Sequence, residues 1–311
     1  MKAGTKIAIG TVAAVLTVLL LRGCVATSYH IPSGGMENTL LRGERILVNK
    51  WSYGLRLPLM SWWGYHRWAD SPVGRQDIVV FNNPANLSQP VIDRRETFIG
   101  RCIGLPGDTL RVDPLFNVAH TPSPPDEKSL YAYPKAYERR LDSLLAALSI
   151  HSDGLLGQDS ARNIRSFSRY EYYLLTQAID PPCWLQPADT APGDGHRLHP
   201  LIVPRRGATL RVRPWNIALL RNTLVLHEGK HAEIKGDTLL VEGKPVNFCR
   251  FTKDYYWVAT DNATSISGSR LFGFVPKDHI IGRAAIVWFS KEEGAGLLDG
   301  YRWDRMWTRI R

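Results

Sequence analysis

The chain has 311 residues, 44% of them apolar, an ordinary share for a globular protein with a core of its own. Lys and Arg number 39 against 29 Asp and Glu, a formal charge of +10 that asks for a partner or a location. No zinc-finger spacing, RNA-binding box or long basic run goes with that charge, so no nucleic acid is expected; a surface lying against anionic lipid fits better.

Lys2 and Lys6 precede an uncharged stretch from Ile7 to Leu21. Arg22 interrupts it, and Gly23-Cys24-Val25-Ala26 continues the small, apolar character. Counting through Ala26 reaches the ~20 residues that span a bilayer, with Arg22 snorkelling to the headgroups. The expectation is an N-terminal transmembrane helix within residues 1–26, against a cleaved secretory or lipoprotein signal. The two lysines would stay cytoplasmic and the bulk of the chain would lie beyond the membrane.

Short strands are predicted next. Glu44–Trp51 is apolar and β-branched, Asp77–Phe81 is closed by Asn82-Asn83-Pro84, and Thr97–Ile103 is closed by Gly104 and the turn pair Pro106-Gly107. After Asp113 the character changes. Leu141, Leu144, Leu145 and Leu148 form one helical stripe over Glu138–Leu148, and Ser166–Ile179 reads as a second helix. Pro187–Pro200 reads as loop; His196 and His199 in it lack a third ligand. Strands resume with Thr223–Leu226, Ala232–Ile234 and Thr238–Val241 as a meander with Gly-containing turns. Tyr255–Ala259 and Ala284–Phe289 read as buried strands. The cysteines at 24, 102, 183 and 249 contain no C-x-x-C pair, which argues against a zinc site. Buried free thiols are the simpler reading, with Cys183–Cys249 the candidate disulfide outside the cytoplasm.

Two aromatic stretches bear on the membrane. Leu57–Trp68 is rich in Leu, Met, Trp and Tyr with little charge. Tyr301–Arg311 places Trp303, Met306, Trp307 and Ile310 on one helical face and Arg302, Arg305 and Arg309 elsewhere. Core packing for the first and a frayed tail for the second are the competing readings.

Ile31-Pro32-Ser33-Gly34-Gly35-Met36-Glu37-Asn38-Thr39-Leu40 resembles the Ser-Met box of type I signal peptidases, the S26 serine endopeptidases. Gly43–Lys50 with Tyr53-Gly54 and Arg75–Phe81, then Phe98–Asp108, then Asp261–Arg270 with Gly273–Pro276 and Ile281-Gly282, resemble the family's further blocks in order. The arrangement is most similar to the Bacteroidota branch. The resemblance implies a mostly β signal-peptidase-like domain of 27–112 plus 254–311, an inserted α+β second domain over 113–253, and a membrane anchor. It also implies a single-pass inner-membrane protein with its bulk on the periplasmic side. The implied partners are exported preproteins or signal peptides, the bilayer and possible membrane proteins; no cofactor or metal is implied.

The departures from that pattern matter most. The family's nucleophilic serine falls on Gly35 and its general-base lysine on Gly100. Glycine has neither group, and Arg101 cannot replace the base because a guanidinium does not deprotonate in proteins. Ser33 matches the serine that helps bind the oxyanion. If 31–36 is extended, Ser33 and position 35 share a face about 6–7 Å apart, a poor geometry for a relocated nucleophile. The serine that bonds the lysine falls on Ile266 and an aspartate on Gly268. Tyr29, Ile31, Pro32, Met36, Phe98 and Ile99 would line the substrate pockets, or simply be core. The expectation is a catalytically degenerate paralogue that binds exported segments or serves a membrane assembly. The alternative is an active peptidase using Ser33 and a lysine such as Lys50.

Overall fold

The computed structural model describes residues 10–12, 23, 25–37, 39–57, 60–113, 116–119, 128–150, 154–158, 160–180, 183–188, 198–262 and 267–310. Along the chain, the strands used below are β1 (Ala26–His30), β2 (Glu44–Asn49), β3 (Ile78–Asn82), β4 (Thr97–Gly104), β5 (Thr109–Val112), β6 (Lys128–Pro134), β7 (Arg162–Ser168), β8 (His199–Ile202), β9 (Thr209–Arg211), β10 (Phe248–Arg250), β11 (Tyr255–Ala259), β12 (Val275–Pro276), β13 (Ile280–Ser290) and β14 (Thr308–Arg309). The helices are α1 (Glu138–Ala147), α2 (Arg169–Ala178), α3 (Ile217–His227) and the single turn α4 (Ser269–Phe272).

The largest sheet runs β1-β2-β13-β3-β4-β11-β12, with β14 added to β13. β2 alternates strictly: Glu44, Ile46 and Val48 are buried, while Arg45 and Asn49 are exposed. β3 is buried on both faces, which is why its sequence is a continuous apolar run. The period of two sorts neighbouring residues onto opposite faces. Ile31, Met36, Ile46, Val48, Ile78 and Val80 form one core. Val79, Phe81, Cys102, Val258 and Phe272 form another on the reverse side.

The residues between β5 and β11 fall into two stretches. From β6 to Leu185 the chain builds its own cluster, in which Tyr131, Tyr133, Leu141, Leu145, Phe167 and Leu175 meet. There α2 begins on a reciprocal capping box, Ser168 bonding the Glu171 amide and Glu171 the Ser168 amide, an arrangement worth about 1 kcal/mol. From β8 to Phe251 the apolar residues instead share a core with the main sheet: Leu201, Val203, Leu210, Leu220 and Leu224 pack with Ile103, Trp257 and Phe274.

Several expectations need correction. Thr223–Leu226 is the end of α3, not a strand: Ile217, Leu220, Leu224 and His227 bury one helical face. The hairpin after it is as expected, with Lys235 opposite Thr238 across Gly236-Asp237. Ser166–Ser168 closes β7, so the second helix starts only at Arg169. The C-terminal segment is not a helix. It makes a short 3-10 turn at Trp303–Arg305, passes through Trp307 at φ 60°, and docks β14 on Ile286 and Val287. Arg305 enforces that course by bonding Glu44 and the Thr39 carbonyl. Cys183 and Cys249 are free thiols and belong to different cores, so they form no disulfide. Among the described residues no helix is long and apolar enough to cross a membrane. The expected span lies almost wholly outside the described residues, as do Ile266 and His196.

Candidate functional site

Three segments converge at the Ser box: its own turn, the start of β6, and Asp261-Asn262. Ser33 is extended, at φ −138° and ψ 159°, and Gly34–Met36 then turn as a 3-10 helix closed by Glu37 N–H on the Gly34 carbonyl at 3.0 Å. The extended reading of 31–36 therefore fails at Gly34. In a 3-10 turn successive residues point about a third of a revolution apart, so Ser33 and position 35 face different ways. The turn is dictated by the burial at its far end: Met36 and Glu37 are driven inward, Met36 to the core and Glu37 to a buried lysine. Ser33 remains exposed, and no described residue bonds its hydroxyl as a helix cap.

That lysine, Lys128, was not singled out by the sequence. Its amine reaches Glu37 at 2.9 Å, with the two side chains 1% and 0% exposed. Its amide donates to the Asp261 carbonyl, and Asn262 N–H donates to the Gly35 carbonyl at 3.0 Å. Residues 91 apart in sequence offer no local pattern that announces such a pair. The Lys128 amine is thus already committed to a buried carboxylate.

Position 100 sits mid-strand in β4, opposite Val79, and is closed. A Cβ there would stand 2.5 Å from Val258 Cγ1 and 2.9 Å from the Ala259 carbonyl oxygen. Gly268 approaches the same backbone, its Cβ position 2.7 Å from the Val258 carbonyl oxygen. β11 shifts register between Trp257 and Val258 where it pairs with β4. The space that a base and its support would need is filled by the strand itself.

The neighbour of Gly100 is fully engaged. Arg101 grips Asp261 with two bonds, Nε to Oδ1 at 2.8 Å and Nη2 to Oδ2 at 2.7 Å. Thr39 closes the frame, accepting from Arg101 at 2.9 Å and donating to Asp261 at 2.6 Å. Ser269 accepts the Val258 amide at 2.9 Å, and Arg270 bonds Asn117 at 2.5 Å. Cys102 offers no replacement nucleophile: burial pushes its thiol up to about 12, and the thiolate is the reactive form.

The expected pocket residues divide. Ile31 and Met36 lie in one buried cluster, with Tyr29 and Ile99 packed against it. Pro32 is exposed. Phe98 belongs to the opposite face of the sheet, where its ring meets Phe272 at 4.7 Å and Phe81 at 6.3 Å. Lys50 is at the wrong end of β2: it bonds the Gly23 carbonyl at 3.1 Å, next to the Ala26–Asn49 pair, whereas the Ser box comes after the His30–Arg45 pair. Five residues of strand put it roughly 17 Å away along the sheet.

The family model described as signal peptidase, peptidase S26, matches residues 5–148 and 226–289, more than half of the chain. The chain belongs to the signal peptidase S26 family. Signal peptidase I of Aquifex aeolicus is 26% identical over 279 residues, covering 89% of this chain and 80% of that protein. Signal peptidase I of a Buchnera aphidicola strain is 24% identical over 284 residues, 89% of this chain and 72% of its own length. The enzyme of Pseudomonas aeruginosa is 42% identical over 97 residues, 30% of each chain. The match to the signal peptidase model omits 149–225, which holds β7, α2, β8 and β9.

Proposed function

We propose that this protein is a signal peptidase family member that has lost peptide-bond hydrolysis and either binds exported preprotein segments without cutting them or acts as a subunit of a membrane assembly. The observation that carries this reading is the closure of position 100 by Val258 and Ala259. A missing lysine could be a single substitution; a site whose volume is occupied by the neighbouring strand has no room for the base. The lysine that does reach the Ser box, Lys128, is tied to Glu37. Ser33 is exposed, and the turn over Gly34–Met36 breaks the extended run that would have set it on one face with position 35.

The same reading takes residues 1–26 as an anchor and the body as periplasmic, arranged as a signal-peptidase-like domain from 27–112 plus 254–311 with 113–253 inserted. Support for membrane contact comes from aromatic side chains left in solvent: Trp51 and Trp68 are more than half exposed and Trp62 is 78% exposed, a pattern suited to the headgroup region.

The test is single-turnover incubation of the detergent-solubilised protein with a preprotein, beside Ser33→Ala and the double variant Gly35→Ser with Gly100→Lys. A fluorescent signal peptide should bind uncut, and the double variant should gain no useful activity because Lys at 100 meets strand backbone. Robust wild-type cleavage that disappears in Ser33→Ala would establish a relocated nucleophile and sink the proposal.

A further inference from the structure

Away from the Ser box, two strand edges face one hollow. Pro200, Leu201 and Ile202 of β8 line one part of it and Leu210 and Arg211 of β9 another, around about 140 Å³, with Trp215 among the remaining walls. β8 ends the three-stranded sheet containing β5, and β9 is half of a two-stranded ribbon with β10. Among the described residues each therefore has one paired edge and one open edge.

The bonding pattern shows which groups point to the open side. Val203 donates to Asp108 and accepts from Gly107, so in the antiparallel register Leu201 bonds β5 and Pro200 and Ile202 point away. Likewise Val212 donates to Asn247 and Phe251 to Ala208, so Leu210 bonds β10 while Thr209 and Arg211 point away. Asn216 takes the Arg211 carbonyl. The Ile202 amide and carbonyl, the Thr209 amide and carbonyl, and the Arg211 amide find no partner among the described residues.

The surroundings are basic and apolar together. Arg211 and Arg213 line the hollow, and exposed Arg250 stands opposite Thr209. All three arginines are exposed, and none pairs with an acidic residue among the described residues. Phe248, 59% exposed, stands opposite Arg211, and Ile202 is 42% exposed. Among the described residues no acidic side chain lines the hollow.

We propose that this groove captures an extended acidic peptide segment of a partner protein by strand addition. The peptide backbone bonds the open edge of β8 or β9, one large apolar side chain fills the hollow, and flanking carboxylates meet Arg211, Arg213 and Arg250. A cavity near 150 Å³ accommodates a group the size of a benzene ring, so a single leucine or phenylalanine fits. Main-chain bonds supply affinity and alternate side chains supply specificity in this mode. A lipid headgroup would use the arginines but leave the edge groups and the apolar hollow unmet.

The probe is a fluorescein-labelled peptide of alternating valine and aspartate around a central leucine, titrated by anisotropy against the full-length protein in neutral detergent. Binding should be saturable and weakened at least tenfold when lysine replaces aspartate in the peptide. Arg211→Glu with Arg250→Glu should weaken it at least tenfold. Thr209→Pro, which removes an outward amide and leaves the β9–β10 ladder intact, should weaken it several-fold. N-methylation of alternate backbone nitrogens in the peptide tests the same bonds without altering the protein. Equal binding by wild type and charge-reversed protein, or binding indifferent to both Thr209→Pro and N-methylation, would overturn the proposal. So would phosphatidylglycerol vesicles held through these arginines with no peptide binding.

Discussion

Gly100 and Arg101 are consecutive residues of one strand, and they have opposite surroundings. Arg101 is held by Asp261 and Thr39 in a closed set of charge-assisted bonds. Gly100 has no side chain, and Val258 and Ala259 fill the space beside it. Both sides press on the same stretch, residues 258–262. The Arg101 side fixes the loops relative to one another, and the Gly100 side is a tight glycine seam. Two neighbouring residues of β4 thus meet the same segment in different ways, one through a buried ion pair and one through close backbone packing.

The comparison breaks first at Asp261. Asp261→Ala leaves Arg101 buried beside no carboxylate and should cost about 3–5 kcal/mol of stability, read as a drop in the urea midpoint. A loss below about 1 kcal/mol would mean the frame does not hold the loops.

The seam gives the next effect. Gly100→Ala adds only a Cβ, yet it should cost about 1–3 kcal/mol because it meets Val258 and backbone. Combining it with Val258→Ala should cost less than the sum of the two single changes, the signature of a shared space. Strict additivity would show that the seam is not tight.

A third buried polar cluster sharpens the comparison by titration. His279 accepts from Arg95 at Nε2, 3.1 Å, so its Nδ1–H donates to Asp278 at 2.7 Å; Lys253 also bonds Asp278 at 2.7 Å. Burial, then the neighbouring His279, pulls His227 down to about 3, and burial lowers His279 too. Burial alone would raise Asp278, but bonds and charge from His279 and Lys253 hold it well below the usual carboxylate range. A histidine depressed in the fold binds its proton first in the unfolded chain. Stability should therefore fall as pH drops below about 6.5, by up to about 1.4 kcal/mol per unit for each proton. Asp278 acts in the same direction, losing its contribution at still lower pH. Urea melts at pH 7 and pH 5 check the slope, and His227→Phe should reduce it.

Much of this architecture was legible in the sequence. The strands of the main sheet announced themselves because burial on one or both faces leaves alternation or a continuous apolar run, as in β2 and β3. The helix α1 was equally plain from its leucine stripe. The α3 segment was misread because Thr223–Leu226 alternates β-branched residues with leucines in a short run, and only the longer spacing from Ile217 to His227 reveals a helix. The two glycines at the expected reactive positions could be named from the order of motifs. That one of them is sealed by Val258 could not, since closeness across paired strands leaves no mark in either segment. The Glu37–Lys128 pair was invisible for the same reason.

The place of β13 has a consequence for how the chain reaches this state. It lies between β2 and β3, so those two early strands are not neighbours and must wait, with open edges, for a segment some 200 residues later. Contacts of such sequence separation make folding slow, because loop closure precedes any compensating burial. A chain released before residue 280 would carry β1-β2 and β3-β4-β11-β12 as two unjoined pieces of sheet. Assembly of the main sheet is therefore an event of completed synthesis, and the half-made protein depends on whatever shields its strand edges until then.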